Sequence, residues 1–247
     1  MSGNGLDHDG HGRGLGSVLS GLAVAVGCVL FLGGFAWGAV QYKPYTVPTQ
    51  SMSPTVKAGD RVLAQRISGG DVRRGDVVVF QDDAWGNVPM VKRVVGIGGD
   101  RVACCGKDGR LTVNGTPVDE PYLHGTNPAS GTPFDAKVPA GQVFLLGDDR
   151  LVSLDSRVHL EDAAHGSVPL SAVSARVDAI AWPMGGMLAR PSGFQALPGG
   201  TSQPGPLKLV VGAVVAGAVL ILAGAAYGPI ASLARRRRVR AAAPAGR

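Results

Sequence analysis

The chain has 247 residues, 45% of them hydrophobic but only 5% aromatic, and 24 Lys/Arg against 18 Asp/Glu give a net charge of +6. Such a basic balance suggests a nucleic-acid partner only where the charges share a surface. Here they do not: residues 41–206 hold 16 basic and 16 acidic side chains, while six basic residues follow Ala234. The basicity is terminal, which argues against nucleic acid as a partner.

Residues 1–16 read as a disordered N-terminus, with His8 and His11 not taken as metal ligands. From Ser17 to Val40 no residue is charged over 24 positions, and about 20 apolar residues at helical rise cross a bilayer core. The segment is expected to be a transmembrane helix. A cleavable signal peptide cut near Ala36-Trp37-Gly38 is the alternative, but the stretch exceeds the usual apolar region of about 7–15 residues. Cys28 inside it reads as a small apolar residue.

Residues 41–190 are expected to form a mostly β domain. Short runs rich in Val, Ile and Leu recur at 61–67, 76–80, 90–95, 101–105, 111–113, 143–146 and 173–181. Gly59-Asp60, Gly75-Asp76 and Gly99-Asp100 precede several of them as turn signals, and Asn114-Gly115 marks a two-residue hairpin. Segments 106–110 and 124–137 read as loops. Strand alternation points neighbouring side chains to opposite faces, so Cys104 and Cys105 are expected to stand apart, with a vicinal disulfide as the alternative. CxxC and HExxH spacings are absent from the sequence.

Residues 191–208 look like a Pro/Gly/Ser-rich linker. A second uncharged stretch at 209–234 is long enough to span, and it ends against Arg235-Arg236-Arg237-Arg238. Basic residues favour the cytoplasmic side. The tail at 235–247 and the N-terminus are therefore expected inside, and the β domain outside.

Two clusters carry candidate chemistry. In Val47-Pro48-Thr49-Gln50-Ser51-Met52-Ser53-Pro54-Thr55, the prolines hold a hydroxyl-rich stretch extended. In Met90-Val91-Lys92-Arg93-Val94-Val95, alternation puts Lys92 between Met90 and Val94 on one face. A lysine desolvated in this way favours its neutral amine and can take a proton from a serine hydroxyl. By themselves these patterns leave open a juxtamembrane linker for the first and a solvated strand face for the second.

The ordered boxes resemble those of the bacterial type I signal peptidase (leader peptidase) family, over nearly all of 41–185. The likeness runs through Pro48–Thr55, Gly59-Asp60-Arg61-Val62-Leu63 and Lys92–Asp100. It continues at Asn114-Gly115, Glu120-Pro121-Tyr122-Leu123, Gly147-Asp148-Asp149-Arg150, Ser153-Leu154-Asp155-Ser156-Arg157 and Trp182-Pro183. The resemblance implies a mostly β, antiparallel coiled-sheet catalytic domain between two transmembrane helices. It implies Ser51 as nucleophile, Lys92 as general base, Thr49 as oxyanion donor and Ser153 as the hydroxyl that orients the lysine. Asp155 and Arg157 would form a supporting ion pair, and no metal or cofactor is called for.

Substrates would be exported preproteins cut after small-x-small (Ala-x-Ala) motifs, at the plasma membrane, in contact with lipid and near the secretion translocon. An extended substrate would add to strand edges near 45–51 and 88–92, with Val47, Gln50, Met52 and Met90 against its side chains. Two departures stand out: Gln50 where the family has a small residue, and Asp149-Arg150-Leu151-Val152 in the last box. Two other readings stand beside this one, the first motivated by those departures and the second by a likeness to the related eukaryotic-type peptidases. One is a catalytically impaired relative that acts as a membrane assembly or substrate-binding factor. The other is a histidine base, with His124, His159 and His165 as candidates.

Overall fold

The computed structural model describes residues 11–123, 127–183 and 185–242; His124 and most of the N-terminal segment expected to be disordered lie outside the described residues. The chain divides into two compact units, Gln41–Gly205 and Met1–Val40 with Pro206–Arg247.

The second of these holds two helices, α1 (His11–Gln41) and α2 (Leu207–Ala242). Each contains a stretch long and apolar enough to cross a membrane, Gly16–Gln41 and Leu207–Ala234. Helix α2 continues through Arg235–Arg238 to Ala242, so the basic segment begins as helix; Arg and Ala are strong helix formers. The two helices approach closely at glycines: a Cβ on Gly27 would lie 2.9 Å from the Gly217 carbonyl oxygen. Ser20 Oγ donates to the Gly224 carbonyl at 2.8 Å. Small residues of this kind let apolar helices pack backbone to backbone.

The unit Gln41–Gly205 is mostly β, and every strand pair is antiparallel. Its strands are β1 (Tyr42–Thr46), β2 (Arg61–Arg66), β3 (Val77–Phe80), β4 (Met90–Ile97), β5 (Arg101–Cys104) and β6 (Thr112–Val113), followed by β7 (Thr116–Pro117), β8 (Phe134–Lys137), β9 (Gln142–Leu146), β10 (Ser167–Pro169), β11 (Val173–Trp182) and β12 (Gly186–Met187). One sheet runs β1-β2-β11-β3-β4-β9-β10 with β12 on β11; the other runs β7-β6-β5-β8. Strand β1 carries Pro44 at the edge of its sheet, where a missing N–H is tolerated. Asn114 and Gly115 turn β6 into β7 with φ of 52° and 78°, as a two-residue hairpin requires.

Three apolar clusters fill the unit. Val102, Leu111, Val113, Phe134, Phe144 and Leu146 belong to the first. Met52, Val56, Val62, Val77, Val79 and Val177 form the second, and Val78, Phe80, Val94, Leu145 and Val168 the third. Full burial of each such side chain contributes about 1.5–3 kcal/mol.

Three expectations need correction. Strand β8 lies inside a segment read as loop; its Phe134-Asp135-Ala136-Lys137 alternates buried and exposed, but four residues are too short to signal. Cys104 and Cys105 are joined in a vicinal disulfide; β5 ends at Cys104, so alternation does not extend to Cys105. Residues 191–205 are not a free linker. Phe194 and Leu197 are buried in the first cluster, Arg74 Nη1 donates to the Pro198 carbonyl at 2.6 Å, and Gly205 N donates to Asp178 Oδ2 at 3.1 Å. Ser202 Oγ donates to the buried Asp76 carboxylate.

Candidate active site

Ser51 sits at the head of the loop between β1 and β2. Val47 N donates to the Asp60 carbonyl at 2.9 Å and Gly59 N to the Val47 carbonyl at 2.8 Å, which close the loop at its base. Inside it, Ser53 N donates to the Gln50 carbonyl and Val56 N to the Met52 carbonyl. These turns drive Met52 and Val56 into the second cluster, both with 0% exposure. Ser51 is left half-buried on the opposite side.

Lys92 lies on β4, paired between β3 and β9, and is 5% exposed. Its Nζ donates to Ser51 Oγ at 2.7 Å. Burial pushes the amine down to about 8, against the opposing pull of Asp155 and Asp148 and with a smaller push from Arg157. Thr49 Oγ1 lies 3.2 Å from Ser51 Oγ. Three of the expected residues therefore meet at one point: a hydroxyl, an amine whose pKa burial brings down to about 8, and a second hydroxyl. That arrangement can move a proton from Ser51 to Lys92.

The support comes from the segment after β9. The fully buried Asp155 accepts from Gly147 N at 2.9 Å and pairs with Arg157 Nε and Nη2, each at 2.8 Å. Burial raises the Asp155 carboxyl, but Arg157, the Gly147 N–H and the adjacent Ser153 hydroxyl outweigh it and hold the group below its ordinary value. Ser153 is buried; its N–H donates to the Asp149 carbonyl at 3.0 Å, while its Oγ makes no hydrogen bond of regular geometry to Lys92 or to any other described residue. A Cβ on Gly147 would collide with the Ser153 side chain and the Ser51 carbonyl oxygen. Asp149 N donates to that same carbonyl at 3.1 Å, tying the two segments together.

A cleft of about 620 Å³ opens on Ser51 and Lys92, with Val47, Gln50 and Met90 in its lining. Met52 is not part of it; the turn after Ser51 sends that side chain into the core, which corrects its expected place against substrate. Gln50 is exposed, with Oε1 accepting from Ala58 N at 3.5 Å. Leu151 and Val152, in the departing segment, are exposed, while Arg150 is buried. Of the alternative bases, His159 pairs with Asp162 and His165 Nδ1 lies 3.2 Å from the Leu160 carbonyl; neither is a partner of Ser51.

Sequence reasoning gave no role to two buried ion pairs beneath the site. Arg93 holds Asp148 through Nε at 2.8 Å and Nη2 at 2.6 Å, and its guanidinium lies 3.9 Å from the centre of the Tyr122 ring. Arg150 pairs with Glu120 and also donates to the Ala129 carbonyl at 2.8 Å and the Gly147 carbonyl at 3.0 Å. The available signal was a charge inside an apolar run, as in Lys92-Arg93 and Asp148-Asp149.

The family model for signal peptidase, peptidase S26, matches residues 18–182. The chain is 33% identical over 192 residues to signal peptidase I of Mycobacterium tuberculosis strain H37Rv, covering 57% of this chain and 65% of the relative. It is 38% identical over 127 residues to signal peptidase I U of Bacillus subtilis, covering 48% and 66%. Over 180 residues it is 34% identical to signal peptidase IB of Staphylococcus aureus strain N315, covering 66% and 87%. This is a chain of the S26 signal peptidase family. It spans just under two thirds of the length of its mycobacterial relative.

Proposed function

We propose that the chain is a membrane-anchored serine endopeptidase that removes signal peptides from exported preproteins, with Ser51 as nucleophile and Lys92 as general base. The observation that carries this reading is the 2.7 Å approach of Lys92 Nζ to Ser51 Oγ, in a setting that pushes the amine down to about 8. In the reaction the neutral amine accepts the Ser51 hydroxyl proton as Oγ attacks the scissile carbonyl. The Ser51 N–H and the Thr49 hydroxyl receive the oxyanion. Lys92 then passes its proton to the leaving amine, which leaves an ester on Ser51. A water deprotonated by Lys92 hydrolyses that ester and regenerates the serine.

The Asp155–Arg157 pair keeps the surroundings of Lys92 close to neutral, so that burial decides its protonation. Ser153, with a hydroxyl free of regular partners, is the group to orient the amine once substrate enters. An extended peptide would lie along the edges near 45–51 and 88–92, with Val47, Gln50 and Met90 facing its side chains, and the cut would follow a small-x-small motif. The two apolar helices would place the enzyme in the plasma membrane as a multi-pass protein. The basic tail is then cytoplasmic, and the catalytic unit is extracytoplasmic, close to lipid and to the secretion translocon.

The test incubates detergent-solubilised wild type and Ser51→Ala with a preprotein and maps the new N-terminus. Wild type should release a mature chain cut after a small-x-small motif, and the variant, with an unchanged thermal transition, should release none. Cleavage at the same bond by Ser51→Ala at near wild-type rate would sink the proposal.

A further inference from the structure

Two separate segments bring apolar side chains into the lining of the cleft that holds Ser51 and Lys92. Val88, Pro89 and Met90 come from the connection into β4, and Val152 and Leu154 from the segment after β9. Val88, Val152 and Leu154 are all exposed. Loops carry function only where something rigid positions them, and the β4–β9 ladder, which runs from Arg93↔Leu146 to Ile97↔Val143, does not join 88–90 to 152–154.

A side-chain contact does. Trp85 sits in a short 3-10 turn, Asp83–Trp85. Its ring meets that of the fully buried Phe80 edge-on, with centroids 5.2 Å apart. His159 stacks on Trp85 at 4.4 Å with an interplanar angle of 18°, and its Nδ1 lies 2.7 Å from Asp162 Oδ2.

Each partner is itself held by its own segment. Asn87 N donates to the Asp82 carbonyl at 3.0 Å and Gln81 Nε2 to Asn87 Oδ1 at 2.7 Å, which closes the turn just before Val88. His159 ends the 3-10 turn Ser156–His159, whose Ser156 Oγ accepts from Leu145 N on β9 at 2.8 Å. A rigid chain of contacts thus runs from the third cluster through Phe80 and Trp85 to His159, and on to the segment bearing Val152 and Leu154.

We propose that Trp85 and His159 are positioning residues: their stack sets the spacing of the 88–90 and 152–154 segments, and with it the size of side chain accepted beside the scissile bond. Neither is a partner of Ser51 or Lys92, so the stack acts on fit rather than on proton transfer. This inference rests on the peptidase reading above for its substrate, and on the geometry alone for the stack.

The test uses full-length solubilised protein: wild type, Trp85→Ala, His159→Ala, and the stack-preserving Trp85→Phe and His159→Phe. Steady-state constants are measured on preprotein-derived peptides with Ala or Leu before the cut, alongside hydrogen exchange of the backbone. The alanine variants should raise KM for the Ala peptide about three- to tenfold, the scale of one aromatic stack, with kcat within about twofold. Their preference for Ala over Leu should narrow by a similar factor, and the phenylalanine variants should keep wild-type values. Exchange in 82–90 and 151–158 should rise together in Trp85→Ala, a readout independent of activity.

Unchanged preference with unchanged exchange would overturn the proposal. So would a fall in kcat alone, which would mark His159 as part of the chemistry. Wild type that cuts neither peptide would count against the peptidase reading, while the exchange result would still decide the stack.

Discussion

Replacing Lys92 by methionine should stabilise the protein while abolishing its activity. The burial that would prepare Lys92 for the proposed role of base lowers its pKa from 10.5 to about 8. At neutral pH the amine is charged both in the fold and in the unfolded chain, and the fold bears the whole desolvation cost. At about 1.4 kcal/mol per pH unit, that cost is roughly 3 kcal/mol. Methionine has a similar length and carries no charge to bury. The sign follows from proton binding: between about 8 and 10.5 the unfolded chain holds more protons than the fold, so wild-type stability rises with pH there. The advantage of Lys92→Met should therefore be full below about pH 8 and shrink as the pH climbs toward 10.5. At about 2–4 °C per kcal/mol for a unit of this size, the variant should melt roughly 6–12 °C higher at pH 7. Thermal unfolding of both proteins from pH 7 to 10, followed by tryptophan fluorescence, measures this. A variant no more stable than wild type at pH 7, or a gap that does not change with pH, would refute the reasoning.

Other substitutions separate the parts of the site. Thr49→Val removes the hydroxyl beside Ser51 and should lower kcat by about 10²-fold with little change in KM, read by steady-state kinetics. Arg150→Met leaves Glu120 buried without its partner and should cost about 3–5 kcal/mol, seen as a lower denaturation midpoint. Gly147→Ala forces a methyl against Ser153 and the Ser51 carbonyl. It should cost about 1–3 kcal/mol and depress kcat/KM even where the fold survives.

The strands legible in sequence are those with runs rich in Val, Ile and Leu: β2, β3, β4, β5, β6, β9 and β11. Alternation puts Lys92 on one face with Met90 and Val94, both of which pack in the third cluster, but β4 is buried on both faces, so alternation alone left the burial of Lys92 open. Strands β1, β7, β8, β10 and β12 carry no such signal because two to five residues, several polar or Pro, show no period. The strap at 191–205 was misread because Pro and Gly dominate its composition, while two apolar side chains, Phe194 and Leu197, fix its position. The meeting of Ser51 with Lys92 across 41 positions is tertiary. No local pattern contains it, and only the order of the boxes pointed to it. Met52 shows the limit of adjacency, since one position from Ser51 the turn exchanges the cleft for the core.

The central claim is that Lys92 is the base for Ser51, and the pH dependence of kcat/KM on a preprotein-derived peptide, for wild type and Lys92→Ala, tests it most directly. Wild type should rise with unit slope on the acid side to a midpoint near 8, and Lys92→Ala should show no such limb and only residual turnover. A midpoint in the ordinary histidine range, about 6.5, or a Lys92→Ala enzyme with near wild-type turnover, would contradict it.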